Sequence, residues 1–83
     1  ANRNGLLEAG EKLIAMKRTR EAIDILTFNI KENSSFYVNY NLLAKAHLFA
    51  GNKRKAFKYY RISTAKFDDK KENEAFKELE RLR

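Results

Sequence analysis

The chain has 83 residues, the size of one small domain, and 43% of them are hydrophobic, which is enough for a modest core. It contains no cysteine, no proline and one histidine, a composition that excludes disulfides, cysteine nucleophiles and most transition-metal sites. The formal net charge is +7, and residues 36–71 hold the whole excess, with nine Lys or Arg against two Asp or Glu.

The N-terminal half is predicted to form two helices. Its first residues, ANRNGLL, lack an initiating Met and the apolar segment of a signal peptide, so we expect a piece of a longer protein. No apolar run reaches the ~20 residues of a membrane span. Apolar residues at helical spacing predict a first helix from Leu6 to Met16. A second helix is expected to begin with Thr19 as N-cap and to run to about Glu32. Its apolar side would consist of Ala22, Ile23, Leu26 and Ile30.

The C-terminal half is predicted to form three more helices. The third spans about Phe36 to Ala50, and Gly51 stands where a left-handed C-terminal cap belongs. Asn52 can cap a fourth helix, which ends near Phe67, and Asp69 with Glu72 resembles a capping box for a fifth. The residues expected to be buried on these helices are Tyr40, Leu43, Ala44, His47, Leu48, Ala56, Phe57, Tyr60, Thr64, Phe67, Ala75, Phe76, Leu79 and Leu82.

The chain also repeats itself at an offset of 34 residues. The stretch RTREAIDIL matches NKRKAFKYY in size and polarity, so that Ala22 meets Ala56 and Leu26 meets Tyr60. Short loops force neighbouring helices to pack antiparallel, and a repeated hairpin indicates a repeat architecture. We therefore predict one all-α domain over residues 1–83, with two antiparallel helix-turn-helix units and a final helix. A five-helix bundle without repeats is the alternative.

This pattern resembles the tetratricopeptide repeat, whose period is 34 residues and whose small residues stand where the two helices of a hairpin cross. In the second hairpin, Gly51 falls at the turn and Ala56 at the small crossing position. The other matching residues there are Tyr40, Leu43, Ala44 and Tyr60. The first hairpin fills the same places with Leu6, Ala9, Gly10, Leu13, Ala22 and Leu26.

The resemblance implies an α-solenoid fragment with repeats at residues 3–34 and 37–70 and a capping helix at 71–83. Three departures from the family pattern concern the loops. Lys17 replaces the turn glycine in the first hairpin, and Ser34 and Asp68 stand where the family has proline. These departures affect the expected loop geometry more than the expected fold.

A narrower resemblance concerns the stretch from REAIDIL through FNIKENSS and AGNKRKAFKYY. It looks like the C-terminal tail of certain bacterial serine hydrolases, which have a β-lactamase-like or α/β-hydrolase catalytic domain followed by two tetratricopeptide repeats. This resemblance implies that the chain is a non-catalytic accessory or self-association domain of such a protein.

We expect no catalysis and no cofactor or metal in this chain itself. The motifs of a serine nucleophile and of a glycine-rich phosphate loop are missing. His47 lies on the apolar stripe of the third helix and is expected to fill an interior position. Asp68 and Asp69, the paired carboxylates, lie in a turn, where capping explains them better than acid–base chemistry.

The expected function is protein binding. In tetratricopeptide arrays the first helix of each hairpin lines a concave groove, and an apolar strip in such a groove can receive an extended or helical peptide. Selectivity would come from Glu11, Asn41 and Lys45. The alternative is that neighbouring domains or the fifth helix bury part of this set. The corresponding positions are Asn4, Leu7, Glu11, Ile14, Val38, Asn41, Lys45, Leu48 and Phe49.

One subtype of the family grips chaperone C-termini with groove Lys and Asn residues. The matching positions here are Leu7, Glu11 and Leu42, and Glu11 would repel an acidic tail. We therefore do not expect this chain to bind chaperone tails.

The basic run NKRKAFKYYR mixes cations with aromatic residues, as nucleic-acid binding requires. Helical spacing, however, places Phe57 and Tyr60 on the buried side and Lys55 and Lys58 on the outside. We expect a solvated or subunit-facing surface first, an acidic protein partner second and a nucleic acid last.

Overall fold

The fold is all-α, as predicted. A computed structural model describes residues 3–33, 38–66 and 81, and in these ranges it contains four helices and no strand. None of these helices has the length and apolar character needed to cross a membrane. The fifth helix and the loop signals at residues 34–35 and 68–72 lie outside the described ranges, apart from position 81, which is helical. The four helices are α1 (Arg3–Ala15), α2 (Thr19–Glu32), α3 (Val38–Phe49) and α4 (Lys53–Lys66).

The helices pack mainly in chain order. α1 packs on α2, α2 on α3 and α3 on α4, while α1 also contacts α3 directly. Each of the connections α1–α2 and α3–α4 has three residues, so each reverses the chain and produces a helical hairpin. The helix ends at Ala15 and Glu32 are each followed by another helix end 34 residues later.

Both turns close with the same hydrogen bonds. After α1, the amides of Lys17 and Arg18 donate to the carbonyls of Ile14 and Leu13, both at 2.9 Å. These two bonds are the pair that defines a Schellman motif, which requires a left-handed residue at its centre. Lys17 takes that conformation with φ of 63° and is the non-glycine residue in the described ranges that has a positive φ. The first turn therefore has the geometry of a glycine turn without the glycine.

The second turn has the glycine. The amides of Gly51 and Asn52 donate to the carbonyls of Leu48 and His47, at 3.0 and 2.9 Å, and Gly51 has φ of 86°. The Asn52 side chain then accepts a hydrogen bond from the amide of Lys55 at 3.2 Å. The predicted C-terminal cap at Gly51 and N-cap at Asn52 are therefore both confirmed.

The predicted N-cap at Thr19 is wrong. Thr19 is the first residue of α2, and Arg18 is the cap residue, without a side-chain capping bond. The Schellman turn ends on Arg18, so the helix resumes at once and leaves Thr19 no extended backbone from which to cap. Arg18 instead contacts Glu21 in the first turn of α2, with Nε and Nη2 at 2.8 and 2.7 Å from Oε1.

We expect Lys17→Gly to raise the free energy of unfolding by about 1 kcal/mol. A left-handed conformation costs a non-glycine residue about 1–2 kcal/mol, and the greater freedom of glycine in the unfolded chain cancels part of the gain. Urea denaturation followed by circular dichroism measures the change.

Gly51→Ala is the matched change in the other turn, and we expect it to lower stability by about 1 kcal/mol. A Cβ at Gly51 would meet no atom within 4 Å, so the loss reports the backbone conformation alone. A Lys17→Gly variant that is no more stable than the parent chain would contradict this explanation.

The core consists of two clusters of buried side chains. The first joins α1, α2 and α3, and the second joins α3 and α4. Tyr59 packs against both and connects them. The first cluster contains Ile14, Ala22, Leu26, Leu43 and Ala46, and the second contains Ala44, Ala56, Phe57 and Tyr60.

Burial repeats at 34 residues as the helix ends do. Gly10, Ala22, Leu26 and Asn29 are buried in the first hairpin, and so are the residues 34 positions later: Ala44, Ala56, Tyr60 and Ser63. At Gly10 the helices approach so closely that a Cβ would lie 2.5 Å from Leu26 Cδ2 and 2.7 Å from its Cγ. Small residues at these positions allow the helices of each hairpin to touch.

Candidate functional site

A continuous groove follows α1 and α3 on one side of the molecule. It consists of two adjoining pockets with volumes of about 610 and 300 Å³. Glu11, Leu42 and Lys45 line both pockets, which makes the groove continuous. It exists because α1 contacts α3 directly, so that the first helices of the two hairpins lie side by side.

The larger pocket combines apolar and basic side chains. Phe49 is 56% exposed, and the Nζ of Lys45 lies 5.8 Å from the centre of its ring, within the range of a cation–π contact. Ile14 is only 6% exposed and belongs mainly to the first core cluster. The lining residues are Glu11, Ile14, Ala15, Lys17, Thr19, Leu42, Lys45 and Phe49.

The smaller pocket contains an unused hydrogen-bond acceptor. The Oδ1 atom of Asn41 is buried and has no hydrogen-bond partner in the described part of the chain. Val38, at 45% exposure, provides apolar surface beside it. Since a buried polar atom without a partner costs free energy, a ligand that donates a hydrogen bond to Asn41 would recover that cost. The pocket is lined by Leu7, Glu11, Val38, Asn41, Leu42, Lys45 and Tyr60.

The structure brings most of the proposed groove residues together in this groove. Leu48 does not line either pocket, because it packs against the second core cluster. Asn4 is exposed and also lines neither. The residues that do line the groove are Leu7, Glu11, Ile14, Val38, Asn41, Lys45 and Phe49.

The sequence-based set omitted Leu42, which lines both pockets. Helical spacing could have found it, because Leu42 lies four residues after Val38 and three before Lys45, on the same face of α3. Lys17 and Thr19 were also omitted. They line the larger pocket because the turn after α1 borders it.

His47 fills an interior position, as predicted. It is 7% exposed, and its ring stacks on Tyr59 with the ring centres 5.5 Å apart and the planes at 9°. Burial, and to a lesser extent the positive charge of Lys55, lowers the pKa of His47 from its ordinary value. The stack also assigns Tyr59, which sequence reasoning left open, to the interface between α3 and α4.

A pair of buried asparagines lies between α2 and α3. The Nδ2 of Asn29 donates to Oδ1 of Asn39 at 2.7 Å, and the Nδ2 of Asn39 donates to the carbonyl of Leu26 at 2.8 Å. Asn33 donates in turn to Oδ1 of Asn29 at 2.8 Å. Sequence reasoning missed this pair, although Asn29 follows Leu26 by three residues and so shares its buried face.

The outer surface of α4 is strongly basic. Arg54, Lys55, Lys58 and Arg61 are all exposed, and no acidic residue occurs between positions 38 and 66. Two of these cations lie over aromatic rings. The Nζ of Lys58 is 5.6 Å from the ring centre of Tyr59, and the guanidinium carbon of Arg61 is 5.8 Å from that of Phe57.

The described ranges contain no group of three or more His, Cys, Asp or Glu residues that could hold a metal ion. No protein-family model matches the chain, and no curated protein sequence matches it significantly. The interpretation of its function therefore depends on the groove and on the basic surface of α4.

Proposed function

We propose that this chain is a tetratricopeptide-type interaction module that binds a protein or peptide segment in the groove between α1 and α3 and has no catalytic activity of its own. The observation that carries the proposal is the groove itself, a continuous channel with exposed apolar side chains in both pockets. A separate peptide and a neighbouring domain of a longer polypeptide would bind in the same way.

The repeated geometry supports the resemblance on which the family assignment depends. Turn conformation, helix ends and buried positions all recur after 34 residues. Repeat proteins use such stacked hairpins to build extended binding surfaces. The proposal assigns the same role to the two hairpins of this chain.

Two kinds of contact would hold the bound segment. Apolar side chains of the segment would pack on Phe49 and Val38, which are exposed at present and would lose contact with water. A backbone or side-chain N–H of the segment would donate to the free Oδ1 of Asn41. Glu11 on α1 and Lys45 on α3 would then favour one orientation of a charged segment over the other.

We expect Phe49→Asp to weaken binding at least about tenfold, or about 1.4 kcal/mol, because it places a charge where an apolar side chain packs. Peptides selected from a random display library on the parent chain provide the ligands, and fluorescence anisotropy measures their affinities. Circular dichroism of each variant confirms that the helices remain.

Phe28→Asp is the matched control. Phe28 lies on α2 outside the groove and is 52% exposed, close to the value for Phe49. Equal losses of affinity in the two variants, or a selection that yields no binding peptide, would contradict the proposal. Leu48→Asp is unsuitable as a binding probe, because Leu48 packs on the second core cluster and its loss would disturb the fold.

A further inference from the structure

The basic surface of α4 has a regular geometry. Arg54, Lys58 and Arg61 lie at positions i, i+4 and i+7, so they form one stripe about 10 Å long on the side of the helix opposite to its buried residues. Lys55 lies beside the stripe. We call these four residues the α4 basic face. None of them lines the groove, so the basic face is a separate surface.

The first hairpin shows that the fold does not require this charge. The residues 34 positions earlier are Arg20, Glu21, Asp24 and Thr27, one cation against two anions. The first three are exposed and the fourth is partly buried, so the two sets occupy similar places on their helices. The same scaffold thus tolerates a mixed, mildly acidic surface on α2 and carries four cations on α4.

The cations of the basic face are available and partly ordered. Within the part of the chain that the structure describes, none of the four forms an ion pair. The contacts of Lys58 with Tyr59 and of Arg61 with Phe57 hold two of the side chains over rings. Side chains that are already ordered lose less conformational entropy when they bind an anionic partner.

The aromatic residues of α4 argue against single-stranded nucleic acid as that partner. Phe57 and Tyr60 are buried, and Tyr59 stacks on His47, so these rings have no free face on which a base could stack. Binding to a duplex would depend on phosphate contacts alone, and proteins that bind duplexes by that means commonly neutralise about 6–10 phosphates, more than four cations can reach. Carboxylates suit this set better, because Arg pairs with a carboxylate through two parallel hydrogen bonds.

We propose that the α4 basic face binds an acidic polypeptide segment, a run of Asp and Glu residues, independently of the groove. The carboxylates of the segment pair with Arg54, Lys58 and Arg61 along the stripe, and Lys55 extends the contact to one side. Because the surface is exposed, the interaction weakens as salt screens the charges.

The test gives α4 the surface of α2. In the full chain, Lys55→Glu, Lys58→Asp and Arg61→Thr are combined, and the affinity for a fluorescein-labelled oligoglutamate peptide is measured by anisotropy at about 0.15 M NaCl. We expect the affinity to fall at least about tenfold, because each exposed ion pair contributes up to about 1 kcal/mol and three are removed. Binding of peptides to the groove should not change.

A charge-matched control separates the basic face from the overall charge. Lys12→Glu, Arg20→Glu and Lys31→Thr change the net charge by the same amount at exposed positions on α1 and α2, and we expect the affinity to change less than about threefold. Equal losses in the two triple variants would overturn the proposal. Tighter binding of oligouridylate or duplex DNA than of oligoglutamate at the same salt would overturn it as well. Should the triple α4 variant lose helicity, Arg54→Gln with Lys58→Gln provides the same test with good helix formers.

Discussion

Gly10→Ala should destabilise the parent chain by about 1–2 kcal/mol and stabilise a Leu26→Ala variant. In the parent chain the new methyl group would lie 2.5 Å from Leu26 Cδ2, and Leu26 is fully buried with no space into which to move. Overpacking of this kind costs about 1–3 kcal/mol, and the better helix propensity of Ala returns about 1 kcal/mol. With Ala at position 26 the clash is gone, and only the gain in propensity remains.

Leu26→Ala alone should lower stability by about 3 kcal/mol, because Leu26 is buried in the cluster that joins the first three helices. Urea denaturation of the four chains in this double-mutant cycle measures the coupling directly. A Gly10→Ala substitution with the same effect in both backgrounds would show that the close approach of α1 and α2 does not decide the residue at position 10.

Asn39→Leu should lower stability by about 2 kcal/mol. The substitution removes the acceptor that Asn29 uses and the donor that the carbonyl of Leu26 receives, both in a fully buried interface. A buried polar group that loses its partner costs about 1–3 kcal/mol, whereas replacing both partners by apolar residues is often nearly neutral. Asn29→Leu combined with Asn39→Leu should therefore be less destabilised than the sum of the single variants.

The control for this prediction is Asn33→Ala. Asn33 bonds to the same network from a partly buried position, and we expect a loss below about 1 kcal/mol. Thermal unfolding of all four variants ranks them. Additive effects of the two buried asparagines would contradict the view that they act as a pair.

The sequence was sufficient to predict the four described helices and one turn, because these depend on local signals. Gly51 can adopt a left-handed conformation, Asn52 can cap a helix, and apolar residues repeat at helical spacing on each side. The 34-residue offset added that the two hairpins would bury corresponding residues. The prediction failed at Thr19, because the backbone of the preceding turn decides which residue caps the helix and Lys17 carries no local sign of its conformation.

The boundary between groove and core could not be predicted from the sequence to the same accuracy. Leu42 lines the groove and Leu48 belongs to the core edge, yet both are leucines on one helix. Which of them meets a neighbouring helix depends on how α3 lies between α1 and α4. The pair formed by Asn29 and Asn39 depends in the same way on the contact between α2 and α3, because a polar residue can be buried only where a partner reaches it.

The conformation of Lys17 has a consequence for how selection acts on this chain. The residue that strains the first turn also lines the larger pocket, where it adds a positive charge beside Lys45. A sequence chosen only for the stability of the turn would carry glycine there, as the second turn does at Gly51. Strained residues often persist where they serve a binding site, and stabilising replacements at such positions commonly cost function. Position 17 is therefore the place in this small domain where a gain in foldability and a gain in ligand affinity are in direct conflict.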